Sequence, residues 1–133
     1  MDKATEALIN ARTIAVVGLD NRQERPAYRI ASYLQDQGYR IIPVPFHQQA
    51  DEVLGEKAYP SLRDIPEKVD LVDVFVRSEQ TDPIIDDAIA IGAGSVWLQL
   101  GIRNDAGIER AHQAGLIASQ DHCTKVEHAR NAP

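Results

Sequence analysis

The chain has 133 residues, of which 44% are hydrophobic and 26% are charged, and its formal net charge is −6. This acidic balance argues against nucleic acid or an anionic membrane as a partner, because the net charge attracts neither. One cysteine leaves no internal disulfide framework, and no run of about twenty apolar residues is present that would cross a membrane. The start of the chain lacks the apolar core of a signal peptide. We therefore expect one cytoplasmic domain spanning residues 1–133.

Apolar runs of strand length alternate with segments of helical periodicity along the chain. We expect Thr81 to cap its helix, and Asp70 and Asp73 to lie near the edges or ends of their strand. In chain order the pattern predicts a helix at 4–11, a strand at 13–18, a helix from 26 to 38, a strand at 39–44, an irregular loop at 46–60 with one short extended piece, a helical turn at 61–66, a strand at 69–76, a loop at 78–80, a helix at 81–91, a strand at 95–100, a helix capped by Asn104 or Asp105 and ending near 114, a strand at 116–119 and a helix at 123–130.

The alternation of strands and helices predicts an α/β fold. Right-handed crossovers then give a doubly wound, Rossmann-like parallel sheet of five strands, for which we expect the order 3-2-1-4-5. Such sheets bind ligands beyond the carboxyl ends of their strands, at the switch point, here between the first and fourth strands. The loops at that edge are 18–25, 45–50, 76–80 and 99–104.

The stretch from residue 13 to residue 34 carries the clearest sign of a ligand site. A buried strand ends at Gly18, and Pro26 opens a helix after a polar loop. The inward face of this helix carries Ala27, Ile30, Ala31 and Leu34. Because a helix N-terminus offers free amide donors and a partial positive charge, it suits a phosphate.

A dinucleotide and a nucleoside triphosphate fit this stretch poorly. The dinucleotide fingerprint needs three glycines, and only Gly18 is present. It also needs an acidic residue at the end of the second strand, where the chain has Pro45 and Phe46. No Gly-Lys-Ser/Thr sequence follows the first strand, so the phosphate loop of nucleoside triphosphatases is missing as well.

The chain resembles the small stand-alone CoA-binding proteins of bacteria and archaea, which are similar to the CoA-binding domain of the succinyl-CoA synthetase α subunit. The resemblance covers nearly the whole sequence in order. It rests on Gly18-Leu19, Arg25-Pro26-Ala27-Tyr28, the run 38–44 (GYRIIPV), Leu54-Gly55-Glu56-Lys57, Tyr59-Pro60-Ser61-Leu62, Ile65-Pro66, the run 72–75 (VDVF) with Arg77-Ser78-Glu79, Ala88-Ile89, Gly92-Ala93, the run 96–101 (VWLQLG), and Asp121, Cys123, Lys125, Glu127-His128 and Arg130.

The resemblance implies a coenzyme A or acyl-CoA ligand lying across the strand ends. Its phosphates would meet the loop after Gly18, and its adenine and ribose the loop after Val44. Arginine suits this role because its planar fork matches phosphate oxygens. The implied binding residues are Gly18, Leu19, Asp20, Arg22, Arg25, Pro26, Pro45, Phe46, His47, Val76, Arg77, Gln99, Leu100 and Gly101.

The chain departs from this family at three places. The family usually has Asn-Pro where this chain has Pro45-Phe46, often a second arginine where Val76 stands, and usually an arginine where His122 stands. A partner-binding module that has lost the ligand therefore stays an alternative. On spacing alone, Arg22 and Arg25 are as well explained as solvated charges, and Arg77 as the partner of a nearby carboxylate.

The expected role is non-catalytic, as a carrier, sensor or regulatory module. The possible partners are the small-molecule CoA ligand and a second copy of the chain in a homodimer. The alternative is a small enzyme acting on an acyl-CoA or a thiol. It would use either an unrecognised base or Cys123, which has His122 and His128 nearby, as a nucleophile. We expect no metal site, and expect Cys123 to be a small buried hydrophobic residue.

Overall fold

Five parallel strands form the central sheet of the computed structural model, which describes residues 1–133. Helices cover both faces, so the predicted α/β, doubly wound, Rossmann-like fold is confirmed. No helix combines the length and the apolar character that crossing a membrane requires. The elements are α1 (Lys3–Asn10), β1 (Thr13–Val17), α2 (Pro26–Asp36), β2 (Arg40–Val44), β3 (Glu52–Val53), β4 (Glu56–Lys57), a 3-10 turn (Leu62–Asp64), β5 (Leu71–Val74), a second 3-10 turn (Ser78–Gln80), α3 (Asp82–Ala90), β6 (Ser95–Leu98), α4 (Asp105–Gln113), β7 (Ile117–Ser119) and α5 (Thr124–Asn131).

The order of the strands corrects the prediction. The sheet runs β2-β1-β5-β6-β7, so the third long strand, β5, pairs with β1 and not with β2. Pro43 lies within β2 and has no amide hydrogen, which suits a strand at the edge of the sheet. On the outer side of β2, the amide of Tyr59 donates to the carbonyl of Pro43 over 3.0 Å. The switch point therefore lies between β1 and β5, not between the first and fourth strands.

The sheet separates two apolar layers, because alternate side chains of each strand point to opposite faces. One layer packs against α3 and α4, and the other against α1 and α2. In α2 the residues Ala27, Ala31 and Leu34 are buried, as the periodicity predicts. Ile30 is only half-buried, which leaves part of its side chain outside the core.

Asp73 is the third of the four residues of β5 and so lies near the end of its strand, as predicted. Asp73 is fully buried, and β5 has a neighbouring strand on each side. Asp70, in contrast, precedes β5 and uses one carboxylate oxygen to accept the amides of Arg12 and Thr13, each at 3.0 Å. A carboxylate at the centre of a sheet is costly to bury, and only hydrogen bonds to other buried groups can offset this cost.

Several boundaries differ from the predicted ones. β5 and β6 each end two residues early, at Val74 and Leu98, so residues 75–77 and 99–101 lie just beyond the sheet. The loop 46–60 contains the hairpin formed by β3 and β4 rather than one extended piece. Thr81 precedes α3 without capping it, because its hydroxyl donates to the carbonyl of Ser78 over 2.7 Å. Asn104 does cap α4, by accepting the amide of Gly107 over 2.9 Å.

Gly18 controls how β1 turns toward α2. Its φ of +98° lies in the left-handed region, and a Cβ at this position would stand 3.0 Å from the carbonyl oxygen of Phe75. The Gly18 amide also donates to the carbonyl of Val44 over 2.8 Å. The turn is therefore held between the ends of β2 and β5, and a side chain would disturb both its backbone and its neighbour.

We predict that Gly18→Ala lowers the free energy of unfolding by about 2–4 kcal/mol, the sum of left-handed backbone strain and crowding against Phe75. Gly38→Ala is the matched control, because Gly38 has a φ of +99° but open space around its would-be Cβ. We expect about 1–2 kcal/mol for the control. Urea denaturation of both variants measures the difference, and equal losses would show that the approach to Phe75 is unimportant.

Candidate functional site

A cleft of about 630 Å³ opens at the carboxyl edge of the sheet. The ends of β1 and β5 meet in it, so it lies at the switch point, where folds of this kind bind ligands. The lining residues come from α2 and from the segments that follow β1, β2, β5, β6 and β7. They are Gly18, Arg22, Arg25, Pro26, Ala27, Ile30, His47, Phe75, Arg77, Gln99, Leu100, Ile102 and Cys123.

Two arginines bring unpaired positive charge to the cleft. Arg25 stands at the N-cap position of α2, and Arg77 follows β5. Both are exposed, and neither side chain has a carboxylate or hydrogen-bond partner in the chain. Other arginines, such as Arg40 and Arg110, each contact two carboxylates. The guanidinium groups of Arg25 and Arg77 are thus available to an anion.

Arg22 is the third arginine of the cleft, and it is already paired. Its Nη2 lies 2.8 Å from Oδ2 of Asp20 and its Nε lies 2.9 Å from Oδ1, which makes a two-pronged ion pair. Burial alone would raise the pKa of Asp20, but the hydrogen bonds and the charge of Arg22 hold it below its ordinary value. The pair stabilises the loop after Gly18 and leaves Arg22 less available than Arg25.

The N-terminus of α2 adds a further positive potential. No side chain caps this eleven-residue helix, and Pro26 at its start has no amide hydrogen. No acidic residue lies in the first turn of the helix, so no carboxylate there offsets the partial charge of the helix dipole. Because Arg25 stands at the same place, the dipole and a full charge act together on the cleft.

A buried hydrogen-bond network lies beneath the opposite end of the cleft. Nε2 of Gln99 donates to Oδ1 of Asp73 over 2.6 Å and to the hydroxyl oxygen of Thr124 over 2.8 Å. The Thr124 hydroxyl in turn donates to Oδ2 of Asp73 over 3.0 Å. The network joins β5, β6 and the first residue of α5. Burial raises the pKa of Asp73 to about 7, although the hydrogen bonds that it accepts from Gln99 and Thr124 act to lower it.

Cys123 lies directly before α5 and lines the cleft. It is half-buried, so the prediction of a buried hydrophobic residue is wrong. The neighbouring histidines are engaged elsewhere. The ring of His122 stacks on Trp97 at 3.9 Å, with Nε2 at 2.8 Å from the Ser119 hydroxyl, and Nδ1 of His128 lies 2.9 Å from the hydroxyl of Tyr33. No three histidine, cysteine or carboxylate side chains gather in a way that would hold a metal ion.

Eight of the fourteen predicted binding residues line the cleft, and the other six do not. Those that line the cleft are Gly18, Arg22, Arg25, Pro26, His47, Arg77, Gln99 and Leu100. The side chains of Leu19, Pro45 and Val76 are buried, and Asp20 supports Arg22. Phe46 is 39% exposed and lies edge-on to His47, at 5.0 Å between ring centres. Gly101 belongs to a shallower groove beside the cleft, next to Arg77 and Leu100.

Sequence reasoning missed part of the lining. Ile30 and Ala27 belong to the helical stripe that predicts core positions, and Phe75 and Ile102 adjoin predicted binding segments. Phe75 falls inside the strand predicted at 69–76, so no signal in the sequence separated it from the core. Cys123 had no signal either, because its approach to the cleft depends on where α5 packs.

The fold and the cleft together define a Rossmann-like domain with a basic cleft at its switch point. The profile of the CoA binding domain family matches residues 12–129. The chain therefore belongs to the CoA binding domain family, and the resemblance found in the sequence is confirmed.

Relatives of two kinds share this domain. The protein YneT of Bacillus subtilis is 38% identical over 124 residues, which cover 93% of this chain and 90% of YneT. The structure of cell-free ID.343 from Thermus thermophilus has a TM-score of 0.90 and 38% identity, and covers 98% of both chains. The ADP-forming acetate–CoA ligase II of Archaeoglobus fulgidus is 26% identical over 99 residues, 74% of this chain but only 15% of the ligase. The domain thus occurs in small proteins and as a minor part of large ligases.

We predict that stability falls with pH because of Asp73. Its pKa rises from an ordinary value of 3.8 to about 7 on folding, so the folded state binds more protons between these values. The free energy of unfolding should then fall by about 2–3 kcal/mol between pH 5 and pH 8 from this group. His122 and His128, whose pKa values burial lowers, act in the opposite direction.

Comparison with Asp73→Asn isolates the contribution of Asp73, because the histidines are the same in both proteins. Urea denaturation at pH 5 and pH 8 measures the free energy of unfolding of both proteins. Between these pH values the wild type should lose more of this free energy, or gain less, than the variant. The same pH dependence in both would contradict a raised pKa at Asp73.

Proposed function

We propose that this chain binds coenzyme A or an acyl-CoA in the cleft and catalyses no reaction on its own. The observation that carries the proposal is the pair of unpaired arginines, Arg25 and Arg77, on either side of a switch-point cleft at an uncapped helix N-terminus. Coenzyme A carries a pyrophosphate and a further phosphate, so it needs such a cationic centre. Membership of the CoA binding domain family supports the same ligand.

The cleft accommodates the two ends of this ligand differently. On the β2 side, His47 and the exposed ring of Phe46 offer an aromatic surface for the adenine. On the β6 side, Phe75, Gln99 and Ile102 offer apolar surface with one polar group, which suits an amide-bearing pantetheine arm. Pro45-Phe46 stands where the family usually has Asn-Pro, so in our assignment stacking on Phe46 takes the place of the polar contact of the asparagine.

A binding role fits the chemistry of the lining better than catalysis. Its polar groups are arginines, an imidazole and an amide, and the one thiol, that of Cys123, makes no hydrogen bond to a histidine or carboxylate. A nucleophile activated by a neighbouring base needs such a contact. We therefore assign the protein a role as a carrier, sensor or regulatory module for its ligand.

Calorimetric titration of the protein with coenzyme A tests the proposal. We expect Arg25→Ala and Arg77→Ala each to weaken binding about ten- to a hundredfold, because a hydrogen bond to a charged group contributes about 1.5–3 kcal/mol. Arg63→Ala is the matched control, since Arg63 is also exposed but pairs with Asp87 away from the cleft. NAD should give no comparable heat.

The protein must first be shown by mass spectrometry to be free of co-purified ligand. Folded, ligand-free protein that produces no heat with coenzyme A would overturn the proposal. Equal weakening by the Arg63 variant would overturn the assignment of the two arginines while leaving the ligand in place.

A further inference from the structure

The thiol of Cys123 and a free acceptor on Gln99 lie at the same end of the cleft. Gln99 is only 4% exposed, yet it lines the cleft. Its Nε2 is used by Asp73 and Thr124, and its Oε1 has no partner in the chain. That oxygen is not sealed from solvent, and Gln99 lines the cleft, so the oxygen is open to a ligand there.

The orientation of the Gln99 amide follows from the network behind it. When Asp73 is ionised, both of its oxygens accept hydrogen bonds, so the amide turns its NH₂ group toward Asp73. The carbonyl oxygen then points the other way, as an acceptor for a ligand N–H or O–H. A nearly buried residue with a free acceptor leaves a hydrogen bond for the ligand to complete. Thr124, which holds this amide, is the residue next to Cys123.

The order of the groups across the sheet gives the direction of the ligand. His47 follows β2, Arg25 precedes α2 after β1, Arg77 follows β5 and Gln99 follows β6. Cys123 comes after β7, so it lies at the end of this series farthest from His47. A ligand whose phosphates meet the arginines and whose base lies near His47 therefore directs its other end to Gln99 and Cys123. In coenzyme A that end bears amide groups and a thiol.

We propose, on the basis of the proposed function, that Cys123 takes the thiol arm of the ligand into a mixed disulfide by exchange with the ligand's own disulfide. The Cys123 thiolate attacks one sulfur of the coenzyme A disulfide, and the bond between the two ligand sulfurs breaks. One half stays on Cys123 through the new S–S bond. The other half leaves as a thiolate and takes up the proton that Cys123 gave up, so no outside oxidant is needed.

The surroundings of the sulfur favour this exchange. Cys123 is half-buried and lines the cleft that also holds the two unpaired arginines, so a ligand bound there by its phosphates can bring its sulfur to the thiol. Gln99 would position the arm by accepting one of its amide hydrogens. The adduct would store the ligand under oxidising conditions and release it when a small thiol reduces the bond.

Intact-mass spectrometry of the ligand-free protein after incubation with coenzyme A disulfide at pH 8 tests the proposal. We expect one added coenzyme A, removed by dithiothreitol, which must sit on the only cysteine. The rate with coenzyme A disulfide is divided by the rate with a small uncharged disulfide, for the protein and for free cysteine. This ratio should be at least about tenfold higher for the protein, because the cleft holds the reacting sulfurs together. Excess acetyl-CoA, whose sulfur is blocked, should slow the reaction.

Arg77→Ala serves as the selective variant. It should slow the reaction with coenzyme A disulfide more than the reaction with the uncharged disulfide, because only the coenzyme carries phosphates for Arg77 to bind. Calorimetry with acetyl-CoA separates the two proposals. Binding of acetyl-CoA without an adduct, or with an adduct formed no faster than by the uncharged disulfide, overturns the exchange and leaves the binding role standing. Absence of both overturns both.

Discussion

The carboxylate of Asp73 at the centre of the sheet is the constraint on which the far end of the cleft depends. An ionised group in this position would be expensive to bury alone, and its two hydrogen bonds come from Gln99 and Thr124. These bonds tie the first turn of α5 to β5 and β6. They also determine which way the Gln99 amide faces and where Cys123 stands. An apolar residue at 73 would pack well enough in a sheet, but it would leave the amide and the helix without this common anchor.

The two ends of the cleft are built on different principles. At the β1 end, close backbone contact at Gly18 and the start of α2 create a positive, uncapped surface that leaves Arg25 unpaired. At the β6 end, the NH₂ group of Gln99 is bound by Asp73 and Thr124 beneath the cleft, and only the carbonyl oxygen of this amide is open to a ligand. The first end suits the charge of a ligand, and the second suits its shape and its few polar atoms. Because β5 ends at Val74 and β6 at Leu98, the residues after these strands leave the sheet and make room for the cleft between its two ends.

Much of this architecture is readable in the sequence, because local patterns decide it. The apolar run before Gly18 and the proline after the loop predict the strand, the turn and α2 correctly. The strand order was not readable in the same way, since pairing of parallel strands is decided by contacts distant along the chain. Pro43 was a local hint that β2 is an edge strand, and it outweighs the expectation of a central position. Asp73 shows the opposite case, because a charged residue within an apolar run is unexpected until its two partners, each more than twenty residues away, are known.

The only tryptophan of the chain has a place that bears on how the molecule can be observed. Trp97 lies in β6, its indole N–H donates to the carbonyl of His122 over 2.8 Å, and its ring is nearly parallel to the imidazole, with 7° between the planes. His122 is the residue before Cys123. The segment that leads into α5 is therefore in direct contact with the main fluorophore of the protein. Emission from that single indole reports the rearrangement of this segment without any label, and the stacked imidazole makes the signal sensitive to its own protonation.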